Sequence, residues 1–539
     1  MELPVLEKFI IFLNRVLSDL YFFLIVKHSQ RCTANLNIMK RRYLTYILLF
    51  GFPLFGCQHK VNGQSTYQQE WMALKQQNEA LAFDADIHLS DAETALDKKL
   101  FQLRKQLLTD TNKQKISLFN SSFEELKPLI ERSTLFEIFQ SMPKGGLLHT
   151  HSGGFTDVKW VIATARKYKE AYVYDQADND QFIFGQLGFF EGKIPEGFVS
   201  LDKKLSSDPD FEKKLAELLI LKRDQLCTYT DYWIEFEKRF KRISLLLPYR
   251  PFFKEYYKKG FMDLMQNNVQ HVEIRYIFEE LYDFKHGKYP LKTSITDLQD
   301  VVKEIQKVHP EFSLKLIYSS FKFLDPKSIE KQLETAFQLK KEFPDMISGF
   351  DLVADEAAGN SVYSFRENWV KLDELSKKYG VKMPLFLHAG ESNSVFNKNI
   401  LDMSVLNNPR IGHGLNLIYF PKTMELIKKQ NKLVEVSPIS NQVLGYVSDM
   451  RNHPARVLLS NGIQCSINSD DPSVYGYEGL GYDFWVAFVY WELDVKALKK
   501  LVFNSINYSS LNESEKKKAL THLNQQWDNF VQKTNQKLK

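Results

Sequence analysis

Eight short apolar runs, most of them followed by a longer amphipathic stretch, constrain this chain more than any other feature. They occupy residues 147–151, 270–276, 312–318, 347–353, 385–388, 410–413, 433–437 and 463–468. Segments of helical periodicity lie between most of them, among them 251–268, 329–343, 362–380 and 421–431. Apolar strands alternating with amphipathic helices call for a parallel sheet covered by helices. Eight such units over about 350 residues predict a (β/α)₈ TIM-type barrel with insertions, an α/β fold. A doubly wound open sheet alternates in the same way, but no Gly-x-Gly-x-x-Gly follows an early strand.

In such a barrel the chemistry collects where strands end and loops begin. The first run ends in His149-Thr150-His151, and the fourth in Asp351 followed by Ala354-Asp355-Glu356. The fifth ends in His388-Ala389-Gly390-Glu391, the sixth in His413-Gly414, and the eighth is followed by Ser469-Asp470-Asp471-Pro472. On a strand, residues i and i+2 share a face about 6–7 Å apart, so two imidazoles can reach one metal ion. A lone His-x-His is more often a strand end with two unrelated histidines. Here, however, four of the twelve histidines in the chain fall at predicted strand ends. Three His and one Asp suit Zn²⁺, and a further His and Glu supply base and acid for hydrolysis.

These motifs resemble the adenosine deaminases of the metal-dependent amidohydrolase superfamily. His-x-His, Gly349-Phe350-Asp351-Leu352, His388-Ala389-Gly390-Glu391, Arg410-Ile411-Gly412-His413-Gly414 and Ser469-Asp470-Asp471-Pro472 follow the family's order. Met142-Pro143-Lys144-Gly145, Trp233 with Phe236-Glu237, Val272-Glu273-Ile274-Arg275 and Pro438-Ile439-Ser440-Asn441-Gln442 are similar to the secreted, growth-factor-related branch. The resemblance implies that His149, His151, His388 and Asp470 bind one zinc ion per chain. It makes Glu391 the acid at purine N1, His413 the base and Asp470 the residue that orients the nucleophile. It also places Asp471 at N7, the Ala354 N–H at N3 and Trp233 beside the ribose. The implied reaction converts adenosine, and 2′-deoxyadenosine, to inosine and ammonia.

Two positions depart from the family pattern. An acidic residue expected one or two positions after the second histidine is replaced by Ser152 and Gly153. The Gly expected before Asp-Glu on the fourth strand is Ala354, which can offer its N–H if its φ is negative. The first departure keeps open a different aminopurine or modified nucleoside as substrate. A receptor-like protein with vestigial catalysis is a further alternative, disfavoured because every ligand position, His413 and Glu391 are present. Asp351 and Glu356 read as braces for loops, and Glu273 with Arg275 as an internal ion pair. His59, His271 and His453 read as surface or packing residues, and Cys465, in an apolar strand, as a buried thiol.

The amino terminus reads differently. Met39-Lys40-Arg41-Arg42, an apolar stretch and Leu54-Phe55-Gly56-Cys57 follow secretory-signal grammar ending in a lipobox-like cysteine. Residues 1–38 then read as an upstream over-read, 39–57 as a lipoprotein-type signal and 58–85 as a Gln-rich tether. The expected product is exported and anchored at Cys57, or otherwise secreted. Removing residues 1–56 lowers the net charge from +5 to +1, so no nucleic-acid footprint follows from it. Ser90-x-x-Glu93 is a capping box, and Leu96, Leu100, Leu103 and Leu107 follow at helical spacing. With a second helical run at about 122–141, this makes 86–140 a helical region, either cover for a barrel end or a homodimer element. The barrel domain spans 141–535, with an insertion at about 170–225 in which 205–212 reads as loop. Cys32, Cys57, Cys227 and Cys465 lack any C-x-x-C spacing, so no thiolate zinc site is indicated.

Overall fold

Each apolar run builds one parallel strand: β1 (Gly145–His151), β2 (Val269–Tyr276), β3 (Ser313–Phe321), β4 (Ile347–Val353), β5 (His388–Ala389), β6 (Arg410–His413), β7 (Leu433–Val436) and β8 (Gln464–Ile467). The structure is a computed structural model that describes residues 63–119, 121–222 and 229–539. The chain divides into two compact units, residues 1–73 and 74–539, and all eight strands belong to the second. The strands form two four-stranded halves, β1-β2-β3-β4 and β5-β6-β7-β8. Parallel bridges Phe350↔Leu385 and Thr150↔Asp470 join the halves on both sides. The barrel is thereby closed, with no free sheet edge. Pairing at β5 begins before the strand proper, since Phe386 N donates to Phe350 O at 2.9 Å.

Gly349 shows why this barrel tolerates no side chain at one wall position. A Cβ there would lie 2.4 Å from the Phe386 ring and 2.5 Å from Pro384 O, so β4 and the start of β5 could not approach.

The helices depart from the sequence reading in places. Residues 362–380 form a 3₁₀ turn (Val362–Phe365) and two short helices (Arg366–Val370 and Leu372–Tyr379) instead of one helix. The run at 122–141 splits into Phe123–Glu131 and Thr134–Ser141, because Ser133 caps the second helix by accepting from Phe136 N. Within the insertion, Ala171–Tyr174 pairs antiparallel with Leu187–Phe189 on one side and Phe198–Ser200 on the other. The charged stretch at 205–212 is helical on both sides of Asp208, not a loop. Buried Leu201, Leu205, Phe211, Leu215 and Leu219 hold those helices down, and the charges are only their outer face.

The Ser90–Glu93 capping box forms at the start of Asp91–Lys113, where Leu96 and Leu100 are buried. This helix packs on the carboxyl-terminal helix Glu513–Lys537, with Trp527 Nε1 donating to Glu93 Oε1 at 2.7 Å. Arg104 Nη1 donates to the carbonyls of Phe488 and Leu493 at 2.9 and 2.7 Å, tying the appendage to the barrel domain. Residues Gly63–Leu81 of the expected tether form one helix. Among the described residues no helix is long and apolar enough to cross a membrane. The signal segment, Cys57, His59 and Cys227 lie outside the described residues.

Glu273 and Arg275 do not pair with each other. They stand two residues apart on β2, and each finds a partner across the barrel. Arg410 Nη2 donates to Glu273 Oε2 at 2.6 Å, and Arg275 Nη2 donates to Glu435 Oε2 at 2.5 Å. Partners on facing strands offer a guanidinium better geometry than a neighbour along its own strand. His271 and His453 are buried packing residues, held by Ser313 Oγ at 2.8 Å and Asn441 Oδ1 at 3.1 Å respectively. Cys465 is a buried free thiol whose pKa burial pushes up.

Candidate active site

The carboxyl ends of β1, β5, β6 and β8 converge on one point. One ligand atom from each of His149, His151, His388 and Asp470 lies within 4.8 Å of the others, and Glu391, His413 and Asp470 form an overlapping group. All but His151 are buried. Nε2 of His149 and Nε2 of His388 face each other at 3.0 Å, and His151 Nε2 stands 3.1 Å from Asp470 Oδ1.

The far sides of the rings are fixed by carboxylates inside the barrel. His149 Nδ1 meets Glu435 Oε2 at 3.0 Å, and His388 Nδ1 meets Asp351 Oδ2 at 2.7 Å. A carboxylate at Nδ1 holds the proton there and leaves the Nε2 lone pair free to bind a cation. Asp470 is oriented too, since Ser440 Oγ donates to its Oδ2 at 2.8 Å and leaves Oδ1 without a hydrogen bond. Buried nitrogen lone pairs and one free carboxylate oxygen around one point are a donor set suited to a borderline metal. The residues present fit a metal ion.

Arg275 and Arg410 knit these carboxylates together. Glu435 Oε1 accepts from Arg410 Nε at 2.5 Å while its Oε2 serves Arg275 and His149. Burial pushes Glu435 upward, but Arg275 and Arg410 outweigh it and hold the carboxyl below its usual range. The bracing role read for Asp351 and Glu356 matches the geometry. Glu356 Oε2 accepts from the backbone N–H of Gly390 and of Glu391, both at 2.9 Å, and Oε1 accepts from the buried Lys322 Nζ at 2.7 Å. Lys322 also donates to His388 O at 2.9 Å.

Electrostatics separate the carboxyls by role. Burial raises Glu391 well above the usual range, and Asp470 and Glu356 push it further. Burial and then Asp470 raise Asp471 in the same direction. Asp470 itself is pushed up by burial but held low by the neighbouring His149 and His151 rings. Burial and the neighbouring His149 keep His413 neutral, with both ring nitrogens free of hydrogen bonds and Nε2 3.5 Å from Glu391 Oε1. The surroundings thus favour the protonated form at Glu391 and Asp471, the carboxylate at Asp470 and the neutral imidazole at His413.

Above it opens a cavity of about 490 Å³, walled by the helix Tyr229–Ile243 through Trp233, Phe236 and Phe240. Trp233 Nε1 donates to Tyr446 Oη at 2.7 Å, so the indole is fixed in the wall. Ser152 and Gly153 line the same cavity, and a Cβ at Gly153 would touch Phe240 at 3.2 Å. A Cβ at Gly154 would lie 1.8 Å from Asp471 Oδ1, so only glycine lets Asp471 take its place.

One expectation needs correction. Ala354 has φ +91°, not a negative value, and it lies on the cavity wall. The turn that brings the segment after β4 to the metal-capable cluster follows glycine geometry, and alanine takes it at a cost. Ala354→Gly is expected to stabilise the fold by about 0.5–1 kcal/mol, read from the urea midpoint. An unchanged midpoint would show that the turn carries no strain. His413 and Asp470 also have positive φ, 64° and 60°.

The sequence reading missed Glu435, Lys322 and Glu279, and it named Ser440 only within a motif, without the role at Asp470. A charged residue inside the apolar run Leu433-Val434-Glu435-Val436 is the signal that marks Glu435. Nothing local marks Glu279, which lines the cavity from beyond the end of β2.

The family model for adenosine deaminase matches residues 226–526. Adenosine deaminase 2 of Sus scrofa is 33% identical over 82% of this chain and 89% of its own length. Adenosine deaminase 2 of Homo sapiens is 32% identical over the same shares, 82% and 89%. Among solved structures, the adenine deaminase of Arthrobacter aurescens superposes with a TM-score of 0.51 at 17% identity, over 71% of this chain and 98% of that one. The N6-methyl-AMP deaminase of Arabidopsis thaliana gives 0.52 at 17%, over 72% and 98%. These two show the shared barrel fold, whereas the sequence match takes in the strand-end residues from Trp233 to Asp471. With that match running over more than half of its length, this chain belongs to the adenosine deaminase family, a metal-dependent group of enzymes.

Proposed function

We propose that the protein is a zinc-dependent deaminase that converts adenosine and 2′-deoxyadenosine to inosine products and ammonia. The observation that carries this reading is the pairing of a three-histidine, one-aspartate cluster with a buried carboxyl, Glu391, that burial pushes well above its usual range. His149, His151, His388 and Asp470 would hold one zinc ion, which when bound lowers the pKa of its water toward about 7. Glu391 donates its proton to purine N1 and makes C6 electrophilic. His413, neutral before reaction, takes the proton of the attacking water. Asp470, itself oriented by Ser440, orients that water. Asp471, its carboxyl pushed well up by burial, donates to N7, and Ala354 presents its N–H to N3 through the positive φ that a glycine would take there, not the negative one expected from the sequence. Water oxygen adds at C6, His413 passes its proton to the amino group, and the C6–N bond breaks to release ammonia; the proton lost from the C6 hydroxyl as the carbonyl forms restores the Glu391 carboxyl. Trp233 would pack beside the ribose.

The test is an ultraviolet assay of adenosine loss by protein carrying one equivalent of zinc. Steady conversion to inosine is expected, and no conversion with zinc bound would refute the substrate. A second reading, a modified adenosine or another aminopurine, is favoured by Ser152 and Gly153 at the cavity wall. It predicts a higher kcat/KM for such a nucleoside than for adenosine in the same assay.

Asp351→Asn would remove the carboxylate that fixes His388. Zinc affinity is expected to fall about 10–100-fold, measured by chelator competition, as for other carboxylate–histidine–metal pairs. Unchanged affinity would separate Asp351 from metal binding. In this reading the protein is exported through residues 39–57 and anchored at Cys57, and mass spectrometry of the native protein would show the signal removed. Dimerisation through the amino-terminal helices belongs to the same reading, and light scattering giving a monomer mass would exclude it.

A further inference from the structure

At the amino-terminal ends of β3 and β4, opposite the histidine cluster, lies a second cavity of about 510 Å³. That volume is within the range of about 300–1,000 Å³ typical of ligand sites. Four lysines line it: Lys315 on β3, Lys340 on the helix Pro326–Glu342, Lys382 before β5 and Lys516 on the carboxyl-terminal helix. Among the described residues one of the four has an acidic partner, Lys315 Nζ lying 3.0 Å from Glu515 Oε1. Lys340 Nζ is tied only to carbonyls, those of Ile347 at 2.6 Å and Ser348 at 3.3 Å. Carbonyls orient an ammonium but do not neutralise it. Lys382 and Lys516 form no ion pair among the described residues. Ser510, on the same wall, has a buried hydroxyl without a hydrogen-bond partner.

The wall behind this cavity is rigid. Ser510 N donates to Glu273 Oε1 at 2.6 Å, and Arg410 Nη1 donates to Tyr508 O at 2.9 Å, so the barrel's internal ion network holds the loop in place. Burial and the nearby Lys315 also push Lys340 down to about 8, as expected of a cation facing other cations. An excess of ammonium groups, a free hydroxyl donor and a fixed wall form a receptor for a multiply charged anion.

We propose that this cavity binds a small oxyanion of the phosphate class. The site is independent of the reaction at the other end of the barrel. Isothermal titration of the full-length protein with inorganic phosphate, at constant ionic strength, should show saturable binding near one site per chain. Lys340→Met with Lys382→Ala should weaken it at least about tenfold, the loss expected of one charge-assisted hydrogen bond. Should Lys340→Met fail to fold, Lys382→Glu with Lys516→Glu at the cavity rim gives the same test. Titration with ribose 5-phosphate separates a free anion from an organic phosphate, and competition between the two for one site supports the proposal. Absence of saturable phosphate binding, or binding that both double variants leave undiminished, overturns it.

Discussion

Replacement of Glu391 by Gln should lower kcat by about 10²–10⁴-fold, with zinc content and thermal stability unchanged. In the proposed reaction the substitution keeps the side chain's shape and its hydrogen bond to N1, but it removes the proton that Glu391 would transfer there. Glu391 can carry that proton near neutral pH because it is buried beside Asp470 and Glu356. Its backbone is held by Glu356, so the variant's amide should occupy the same place. The loss should fall on kcat, not on KM, because the transferred proton matters most as C6 is attacked. Steady-state kinetics together with metal analysis checks this. A variant that turned over at the parent rate would place the proton donor elsewhere.

Arg410→Met should destabilise the fold by about 3–5 kcal/mol, the cost of leaving buried charges without their partner. Arg410 is fully buried and joins Glu273 at 2.6 Å to Glu435 at 2.5 Å. Removing it leaves Glu273 in the barrel interior with only His271 and the Ser510 N–H, and Glu435 with Arg275 and His149. Adding Glu273→Gln should restore part of the loss, because a neutral amide pays less for burial than an unpaired carboxylate. The pH dependence follows from Glu273. Burial raises its pKa, but Arg410 and His271 outweigh this and hold it below the usual 4.5. A group depressed in the folded state contributes stability that is complete above its unfolded value and fades as pH falls below it. The parent should therefore lose stability below about pH 4.5 more steeply than Arg410→Met. Urea titrations across this range measure both effects, and parallel curves would show that the Glu273–Arg410 pair contributes nothing.

The strand order and the strand-end residues were legible from local pattern because both are local facts. An apolar run bounded by polar punctuation identifies a strand, and the residue that follows it lies at the barrel mouth by topology alone. His149, His151, His388, His413, Glu391 and Asp470 could thus be assembled from separate motifs, and the structure brings them to one point. The lysine-lined cavity shows the opposite case. Lys315 and Lys516 are 201 residues apart in sequence, and no motif connects them.

The amino-acid order by itself therefore determined the barrel, the order of its strands and which polar residues stand at their ends. Tertiary structure alone decided the partners of the interior charges. Glu273 and Arg275 look like a pair on one strand, yet each is bound to an opposing strand. A closed barrel projects side chains from facing walls into one small interior, where distance across the barrel matters more than separation along the chain. The same closure sets the φ of Ala354 and the upward push on the Glu391 carboxyl. Both depend on what surrounds a residue after folding, and sequence neighbours do not carry that information.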